Sequence, residues 1–321
     1  MMQLSTPRFN RVIAFEVAKQ SLVVHALPED RQRRIANTAG AVRKLLRTAI
    51  ESGDGQILVV CEATGGYEKH VLAEACALGL ACHRAHGARV RHFAKFMGAA
   101  AKTDAIDGRM LALYGQNAQN LRLYRPPAIE QKAVRALKSR RDELLQMMIG
   151  ETNRIEHADH ASVRASLRTH VRILKLQLAR IERELAQIID ETPRLAEQAR
   201  LMQSVKGVGS ETAAAIIAYF PELGSLSKGQ AARLAGLAPI ARDSGKASAP
   251  RHIEPGRAAL RRTLYMAAVA AIRFNPGLRA FAAKLKAKGK PFKLIAAAVM
   301  RKLVVILNAV LASGEPTRQY A

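Results

Sequence analysis

The sequence predicts an α/β domain followed by a mostly helical region, and three observations indicate this fold class. Residues 1–107 alternate short β-branched segments with amphipathic segments of helical period. Two long segments follow in which apolar residues recur at steps of three and four, as in a coiled coil. The remaining chain has apolar helical faces over 260–272 and 292–311. The predicted class is therefore α/β plus α.

Prolines mark the boundaries between three predicted domains. Pro126 and Pro127 precede the long helical segments, and Pro193 follows them. We therefore predict an α/β domain over 1–125, a helical coiled-coil connector over 126–195 and a mostly helical, basic domain over 196–321.

Three strands of the α/β domain are evident from composition. Residues 12–17 and 22–27 are β-branched segments joined by a short polar turn, which predicts a hairpin. Residues 57–61 are uniformly apolar, which predicts a fully buried strand ending at Glu62. A helix is predicted over 41–52, where the apolar residues lie on one side, and another begins near Tyr67.

Four acidic residues occupy positions that a folded sheet could bring together. Glu16 lies inside the first predicted strand, and Glu62 ends the buried strand. Asp104 and Asp107 are three residues apart at a predicted helix start, so they project from one face. Such acids could instead cap helices or face solvent on an edge strand. Alternatively, the four carboxylates could hold the two divalent ions that phosphoryl transfer uses.

The composition predicts a polyanionic partner. The chain has 51 Lys and Arg against 26 Asp and Glu, a net charge of +25. Residues 1–107, 108–200 and 201–321 carry +5, +6 and +14, so most of the excess is C-terminal. Such a field attracts nucleic acid. Tryptophan is absent and aromatic residues make up 4%, which disfavours binding through stacked bases and favours backbone contacts.

Three features predict a cytoplasmic protein. The apolar stretch 294–311 contains Arg301 and Lys302, so a core helix is expected rather than a membrane span. No apolar signal-peptide core precedes Arg8 and Arg11. The three cysteines lack CxxC spacing, which argues for a reducing compartment and against structural zinc.

The predicted connector contains a heptad seam. Its residues are Leu167, Val171, Leu174, Leu178, Ile181, Leu185 and Ile188. An earlier helix over about 130–157 has apolar residues at compatible spacing. The two helices could therefore pair within one chain or between subunits.

Residues 201–217 have the pattern of a helix-hairpin-helix. Gly207 and Gly209, preceded by Lys206, would form a turn that presents backbone N–H groups to a nucleic-acid phosphate. An ordinary glycine turn between packed helices is the alternative.

Three short blocks contain the four acids: residues 15–19 (FEVAK), 61–67 (CEATGGY) and 102–111 (KTDAIDGRML). They resemble the signature blocks of the DEDD transposases of the IS-one-ten insertion-sequence family, relatives of the pilin-gene invertases. The resemblance implies a RuvC-like, RNase H-type fold for the first domain. The implied ligands of Mg²⁺ or Mn²⁺ are Glu16, Glu62, Asp104 and Asp107. Glu16 stands where the family usually has Asp, which places its carboxylate ~1.5 Å farther from the backbone.

A polar loop, residues 240–248 (IARDSGKAS), lies in the C-terminal region. It is similar to the C-terminal transposase domain of the same family, in which the serine before glycine is the proposed nucleophile that joins DNA covalently. The matching residue is Ser244. A hydroxyl needs a metal, a base or cationic neighbours to become nucleophilic, and Arg242 and Lys246 lie in the same loop.

The resemblance covers residues from about 11 to about 312 and implies a site-specific DNA recombinase that excises and inserts its insertion sequence. Family members are associated with a structured non-coding guide RNA that pairs with donor and target DNA. We therefore expect DNA, a guide RNA and further copies of this chain, as a dimer or tetramer, to be the partners. The alternatives are a RuvC-like endonuclease that uses water, or a catalytically decayed nucleic-acid-binding protein.

Basic residues and turn glycines are the predicted nucleic-acid contacts. In the first domain they are Lys102 and Arg109. In the C-terminal domain they are Lys206, Gly207, Gly209, Arg242, Lys246, Arg251, Arg261, Arg262, Lys284, Lys286, Lys288 and Lys290. A lysine run is often only solvated surface, but in a segment of net charge +14 we predict phosphate contacts.

Overall fold

The computed structural model describes residues 9–53, 55–98, 104–118, 121–240, 252–253 and 257–317, with side chains described except at 104–106, 240, 252 and 253. The chain divides into two compact units, Met1–Pro127 and Ala128–Ala321. The first unit has a five-stranded sheet with helices on both faces, and the second is mostly helical. The fold is therefore α/β plus α, as the sequence predicts.

A mixed sheet forms the centre of the first unit. Its strands are β1 (Arg11–Val17), β2 (Ser21–Leu27), β3 (Arg31–Ala36), β4 (Ile57–Glu62) and β5 (Ala81–Ala85). They lie in the order β3-β2-β1-β4-β5. The first three strands pair antiparallel, whereas β4 is parallel to both β1 and β5. The predicted hairpin and the predicted buried strand are both present, and β1 and β4 are neighbours.

Helices cover both faces of this sheet. One face packs against α1 (Ala39–Glu51) and α2 (Lys69–Ala77), and the other against α3 (Gly87–Phe96) and α4 (Asp104–Asn117). Because strand side chains alternate, Phe15 belongs to the first of these cores and Ala14 to the second. Each residue's position along its strand therefore tells which face it occupies.

Strands β3 and β5 were not predicted from the sequence. Strand β3 is an edge strand whose arginines are exposed, so its conformation comes from backbone pairing with β2 rather than from an apolar pattern. Strand β5 reads Ala-Cys-His-Arg-Ala and lacks β-branched residues. In both cases the sheet itself, a long-range structure, specifies the strand.

Two long helices of the second unit, α5 (Ile129–Glu156) and α6 (Ala161–Glu191), form an antiparallel hairpin. Arg141 of α5 bonds to Glu182 of α6 at 2.9 Å, and Glu151 lies 3.4 Å from His170. The predicted seam residues Leu174 and Leu185 are buried. Of the two predicted pairings, the structure therefore has the one within a single chain.

Six further helices lie in the described part of the second unit. They are α7 (Pro193–Gln203), α8 (Ser210–Tyr219), α9 (Lys228–Leu234), α10 (Ala258–Phe274), α11 (Pro276–Ala287) and α12 (Phe292–Ser313). The short strands β6 (Pro239–Ile240) and β7 (His252–Ile253) pair antiparallel. Val134 of α5 and Leu185 of α6 share the core of these helices, so the helical hairpin belongs to the same compact unit.

Helix α12 is the one helix in the described part of the chain that is long and apolar enough to cross a membrane, judged by length and composition alone. Its apolar side chains form much of the second unit's core, including Val299, Leu303 and Leu307. The predicted core helix is therefore present.

An ion network centred on the buried Lys138 joins α5, α6 and α8. Lys138 is 1% exposed, and its ammonium group contacts Asp142 and, at 3.0 Å, Glu211. Arg141 lies 3.0 Å from Glu211 and 2.9 Å from Glu182. One lysine and one arginine thus link three helices of the second unit.

Candidate active site

Two of the predicted acids lie on neighbouring strands at the carboxyl edge of the first unit's sheet. Phe15 pairs with Cys61 in the parallel ladder of β1 and β4, so Glu16 and Glu62 are the next residues on adjacent strands. Neighbouring strands are about 5 Å apart. Because side chains alternate, both carboxylates lie on the face that α4 covers. Both glutamates are half-buried.

Helix α4 runs back across this face from the same edge. Towards its end, a Cβ atom at Gly115 would come within 2.6 Å of Val60 Cγ2, so the helix lies directly on the sheet. Near its start, Gly108 lies over Val23, which pairs with Glu16. The first turn of α4 is therefore at the edge where the two glutamates lie.

The two predicted aspartates occupy that first turn. Helix α4 begins at Asp104, and Asp107 follows one turn later with a half-buried side chain. The Asp104 side chain is outside the described residues. Among the described side chains, no three His, Cys, Asp or Glu residues come close enough together to hold a metal ion. The backbones of all four acids thus lie at one sheet edge, and metal binding stays a prediction.

The Glu62 carboxylate lies against the start of helix α3. A Cβ atom at Gly87 would overlap Glu62 Oε1, so any larger residue there would require the Glu62 carboxylate to move. Gly87 is the first residue of α3, where the helix dipole favours negative charge. No periodic pattern in the sequence pointed to this contact.

A histidine–aspartate–arginine cluster holds the second turn of α4 on the sheet. The buried His25 has its Nε2 atom 2.8 Å from Asp30 Oδ1, and Arg109 Nε donates to the same oxygen at 3.1 Å. The hydrogen bonds with His25 and then Arg109 lower the pKa of Asp30. Arg109 is a predicted nucleic-acid contact, and in the structure its guanidinium pairs with Asp30. Sequence patterns did not identify His25 or Asp30.

A further carboxylate that sequence patterns missed, Glu68, orders the loop that follows Glu62. Glu68 is buried and accepts hydrogen bonds from the backbone N–H groups of Thr64, at 3.3 Å, and Gly66, at 2.8 Å. The Thr64 hydroxyl donates a third at 3.2 Å. Burial alone would raise the pKa of Glu68, but the hydrogen bonds together outweigh it and lower the pKa. The loop beside the candidate site is therefore fixed by an ionised carboxylate.

We expect Glu68→Ala to destabilise the protein by about 1–3 kcal/mol, because two half-buried backbone N–H groups and the Thr64 hydroxyl lose their acceptor. The pKa of Glu68 is lowered by folding from its ordinary value of 4.5, so its contribution is complete above that pH. The contribution is lost as the pH falls through the folded-state pKa. Urea unfolding at several pH values measures the difference between wild type and variant. A difference that is unchanged under strongly acid conditions would contradict this assignment, and the exposed Glu51→Ala is the control.

The predicted phosphate-binding turn in the second unit connects α7 to α8. Gly207 has φ +102°, and a Cβ atom there would lie 2.5 Å from the Cα atom of Ala271 in α10. Gly209 precedes the first residue of α8, and nothing lies within 4 Å of its Cβ position. Lys206 is exposed. Gly207 is thus explained by helix packing, whereas Gly209 and Lys206 are open to a ligand.

The two turn glycines should respond differently to alanine. Gly207→Ala is expected to destabilise the second unit by roughly 2–4 kcal/mol, because it combines backbone strain with a clash against Ala271. Gly209→Ala should be tolerated to within about 1 kcal/mol, because its φ of −94° suits any residue. Thermal unfolding followed by circular dichroism compares the two variants. Equal losses of stability would show that packing against α10 does not explain why residue 207 is glycine.

The other predicted nucleic-acid contacts fall into two groups. Five of them are exposed cations: Arg262 on α10, Lys284 and Lys286 near the end of α11, and Lys288 and Lys290 in the turn to α12. Arg261 on α10 is half-buried. The predictions that lie outside the described residues are Lys102, Arg242, Ser244, Lys246 and Arg251.

Comparison with known families gives two matches. Residues 15–158 match the sequence model of DEDD transposases of the IS110 type, described as "Transposase". Residues 199–283 match the model described as "Transposase IS116/IS110/IS902 family". The first match contains the four predicted acids, and the second contains the turn glycines and Ser244.

Two curated proteins are similar over most of this chain. Both are described as "Pilin gene-inverting protein", one from Moraxella lacunata and one from Moraxella bovis. Each is 28% identical over 265 residues, which is 80% of this chain and 81% of the relative.

Proposed function

Because the chain belongs to the IS116/IS110/IS902 family of transposases, we propose that this DNA recombinase excises and inserts its own insertion sequence at specific sites. The observation that carries the proposal is the adjacency of Glu16 and Glu62 on parallel strands. The first turn of α4 lies at the same sheet edge. A cluster of carboxylates can hold the divalent ions that promote attack on a phosphodiester.

Each of the three proposed domains has its own role in this reaction. Residues 1–125 form the RuvC-like, RNase H-type catalytic domain, supported by a mixed sheet whose acid-bearing strands are central neighbours. Residues 126–195 form the coiled-coil connector, supported by the α5–α6 hairpin. Residues 196–321 form the transposase domain with the nucleophilic-serine loop. The α7–turn–α8 segment supports a helix-hairpin-helix that grips DNA through Lys206 and Gly209.

The proposed metal ligands are Glu16, Glu62, Asp104 and Asp107. An all-carboxylate oxygen set suits the hard divalent ions Mg²⁺ and Mn²⁺ better than softer metals. Bound ions would offset the repulsion between the carboxylates and activate the oxygen that attacks the phosphate. The folded chain positions these carboxylate ligands. Gly87 leaves space for the Glu62 carboxylate, and the loop ordered by Glu68 follows Glu62 directly.

Ser244 is the proposed nucleophile. Its hydroxyl loses a proton to a base, its oxygen forms a bond to phosphorus, and one phosphorus–oxygen bond of the DNA backbone breaks. The leaving DNA oxygen takes up a proton, and the reverse of this exchange joins the chain to a new DNA end. The cations that would stabilise the charge on the phosphate are Arg242, Lys246 and Arg251.

Three kinds of partner follow from this proposal. DNA is the substrate, and a structured non-coding RNA from the element selects donor and target sites, which fits a chain without an evident base-reading motif. Two or more copies of the chain would act together, because recombination joins two DNA ends. The cytoplasm, where DNA is accessible, is the proposed location.

Two other functions use the same residues differently. A RuvC-like endonuclease would cleave with water and leave no protein–DNA bond. A catalytically decayed binding protein would need none of the four acids.

A covalent-trapping experiment tests the proposed function. A labelled DNA containing the junction of the element and its flank is incubated with protein and Mg²⁺, and labelled protein is separated on a denaturing gel. We expect wild type and the control Ser248→Ala to become labelled, and Ser244→Ala to remain unlabelled. Labelled Ser244→Ala would overturn the serine assignment, and cleavage without labelled wild type would favour the endonuclease. Sequencing the RNA that copurifies with the protein tests the guide.

A further inference from the structure

Residues 31–50 contain six basic side chains and no acidic one. Two of these six are set apart by their surroundings. Arg43 pairs with Glu74 at 2.6 Å, and Arg34 pairs in register with Val23 on the face that α4 covers. The remaining four, here called the basic strip, are Arg31, Arg33, Lys44 and Arg47. All four are exposed.

The basic strip lies on the face of the sheet opposite to the candidate active site. Arg33 pairs in register with Val24, whose side chain belongs to the core under α1 and α2. Arg31 is two residues earlier, so it lies on that same face. Lys44 and Arg47 are on the solvent side of α1, around a shallow depression at Gly40. Strand β3 and helix α1 are consecutive elements and contact each other, so the four cations share one surface.

No carboxylate neutralises the basic strip among the described residues. The nearest acids in the sequence are engaged elsewhere: Glu29 pairs with Arg11, and Asp30 pairs with Arg109 and contacts His25. Glu51 is exposed at the end of α1, on the rim of the depression, and enters none of the described ion pairs. The surface therefore keeps a net positive charge.

Charge on an edge strand also prevents edge-to-edge pairing between sheets. That role explains Arg31 and Arg33 on β3. It does not require Lys44 and Arg47 on a helix, because a helix has no edge to protect. The pattern of all four cations is better explained by a polyanion that spans β3 and α1.

We infer that the basic strip binds the sugar–phosphate backbone of duplex DNA, away from the strand being cut. Its position opposite Glu16 and Glu62 prevents its cations from serving the reacting phosphate. A recombinase handles two DNA segments, and this surface would hold the second segment or the duplex beyond the cut. Exposed arginines and lysines recognise phosphates without reading sequence. The inference rests on the proposed function in one respect: it takes the sheet edge with Glu16 and Glu62 to be the place where DNA is cut.

The test is DNA binding without metal, so that catalysis does not enter. Fluorescence anisotropy follows a labelled duplex DNA of about thirty base pairs over a range of salt concentrations. The variant is Arg31→Gln, Arg33→Gln, Lys44→Gln and Arg47→Gln combined. The matched control removes four exposed cations from α6, namely Arg172→Gln, Lys175→Gln, Arg180→Gln and Arg183→Gln. Circular dichroism confirms that both variants fold.

The expected result is specific to the basic strip. The strip variant should bind DNA at least about tenfold more weakly at low salt. The log–log salt slope should be shallower by up to about 3.6, because each of the four lost phosphate contacts removes about 0.9 from the slope. The control should retain most of its affinity. Equal losses of DNA affinity in both variants would show that net charge alone explains the effect, and would overturn the inference. Unchanged DNA binding with weakened binding of a duplex RNA of the same sequence would assign the surface to RNA instead.

Failure of this inference can be told apart from failure of the proposed function. The trapping experiment measures the Ser244–DNA bond, whereas the anisotropy experiment contains no Mg²⁺ and measures affinity alone. A wild-type protein that forms the covalent product while the strip variant binds DNA normally would overturn only the inference about the strip.

Discussion

Asp107→Asn should slow strand cleavage and recombination about 10³-fold while the protein still folds and binds DNA. Asp107 lies in the first turn of α4, at the sheet edge where Glu16 and Glu62 are neighbours. Losing one carboxylate ligand should remove about 4 kcal/mol of transition-state stabilisation, a loss of about 10³-fold in rate. The measurement is single-turnover cleavage of a labelled junction DNA with Mg²⁺, alongside anisotropy for DNA binding.

The controls separate loss of a metal ligand from loss of charge. Asp190→Asn removes an exposed carboxylate from α6 and should leave the cleavage rate unchanged. Full cleavage activity of Asp107→Asn would reject the metal assignment. A wild-type protein that binds DNA without cleaving it would instead favour the decayed binding protein.

The same assay tests the glutamate that departs from the family pattern. Glu16→Gln should reduce cleavage about as much as Asp107→Asn, because a neutral amide is a poor ligand for Mg²⁺. Glu16→Asp shortens the side chain by ~1.5 Å and restores the residue type usual in the family, so activity should persist. An active Glu16→Gln protein would show that Glu16 is not a ligand.

Lys138→Met should destabilise the second unit by about 3 kcal/mol. The Lys138 ammonium is almost fully buried and contacts Asp142 and Glu211, so its removal leaves Asp142 with less compensation for burial. Arg141 remains near both acids, which keeps the loss at the lower end of the usual range for broken buried pairs. Urea unfolding followed by far-ultraviolet circular dichroism measures the change, since the chain has no tryptophan to report it.

Two further variants define the origin of that effect. Lys175→Met removes a cation from the exposed face of α6 and should change stability by less than about 0.5 kcal/mol. The double variant Lys138→Met, Asp142→Leu removes both charges of this pair, the buried ammonium and the half-buried carboxylate, and should recover much of the lost stability. If the double variant is no more stable than the single one, the uncompensated Asp142 carboxylate is not the cause.

Local patterns predicted the elements that carry a strong apolar period. Strands β1, β2 and β4 and helix α1 lie within a few residues of their predicted positions, and α5 spans Ile129–Glu156 against a predicted 130–157. These elements bury one face or one stripe, so the pattern of their own residues suffices. Strands β3 and β5 lack such a pattern, because their conformation depends on pairing with strands that lie far away in the sequence.

The candidate site shows the same division. Sequence blocks predicted the four acids, whose backbones lie at one sheet edge, whereas the groups around them were missed. Gly87 leaves room for Glu62, Glu68 fixes the next loop, and His25 and Asp30 hold α4. Each contact joins residue types that are common elsewhere, and it exists only because the folded chain brings those residues together.

The groups that predict this protein's chemistry can be read from the amino-acid sequence: carboxylates in three separate blocks, a loop serine and a large excess of positive charge. Which of these groups share a surface depends on the folded chain. Strand order made Glu16 and Glu62 neighbours, and close packing of Gly115 and Gly108 placed the start of α4 beside them. Strand register assigned Arg31 and Arg33 to the opposite face. The physical reason is that residue type and period act locally, whereas strand order and helix placement depend on burying all apolar faces at once.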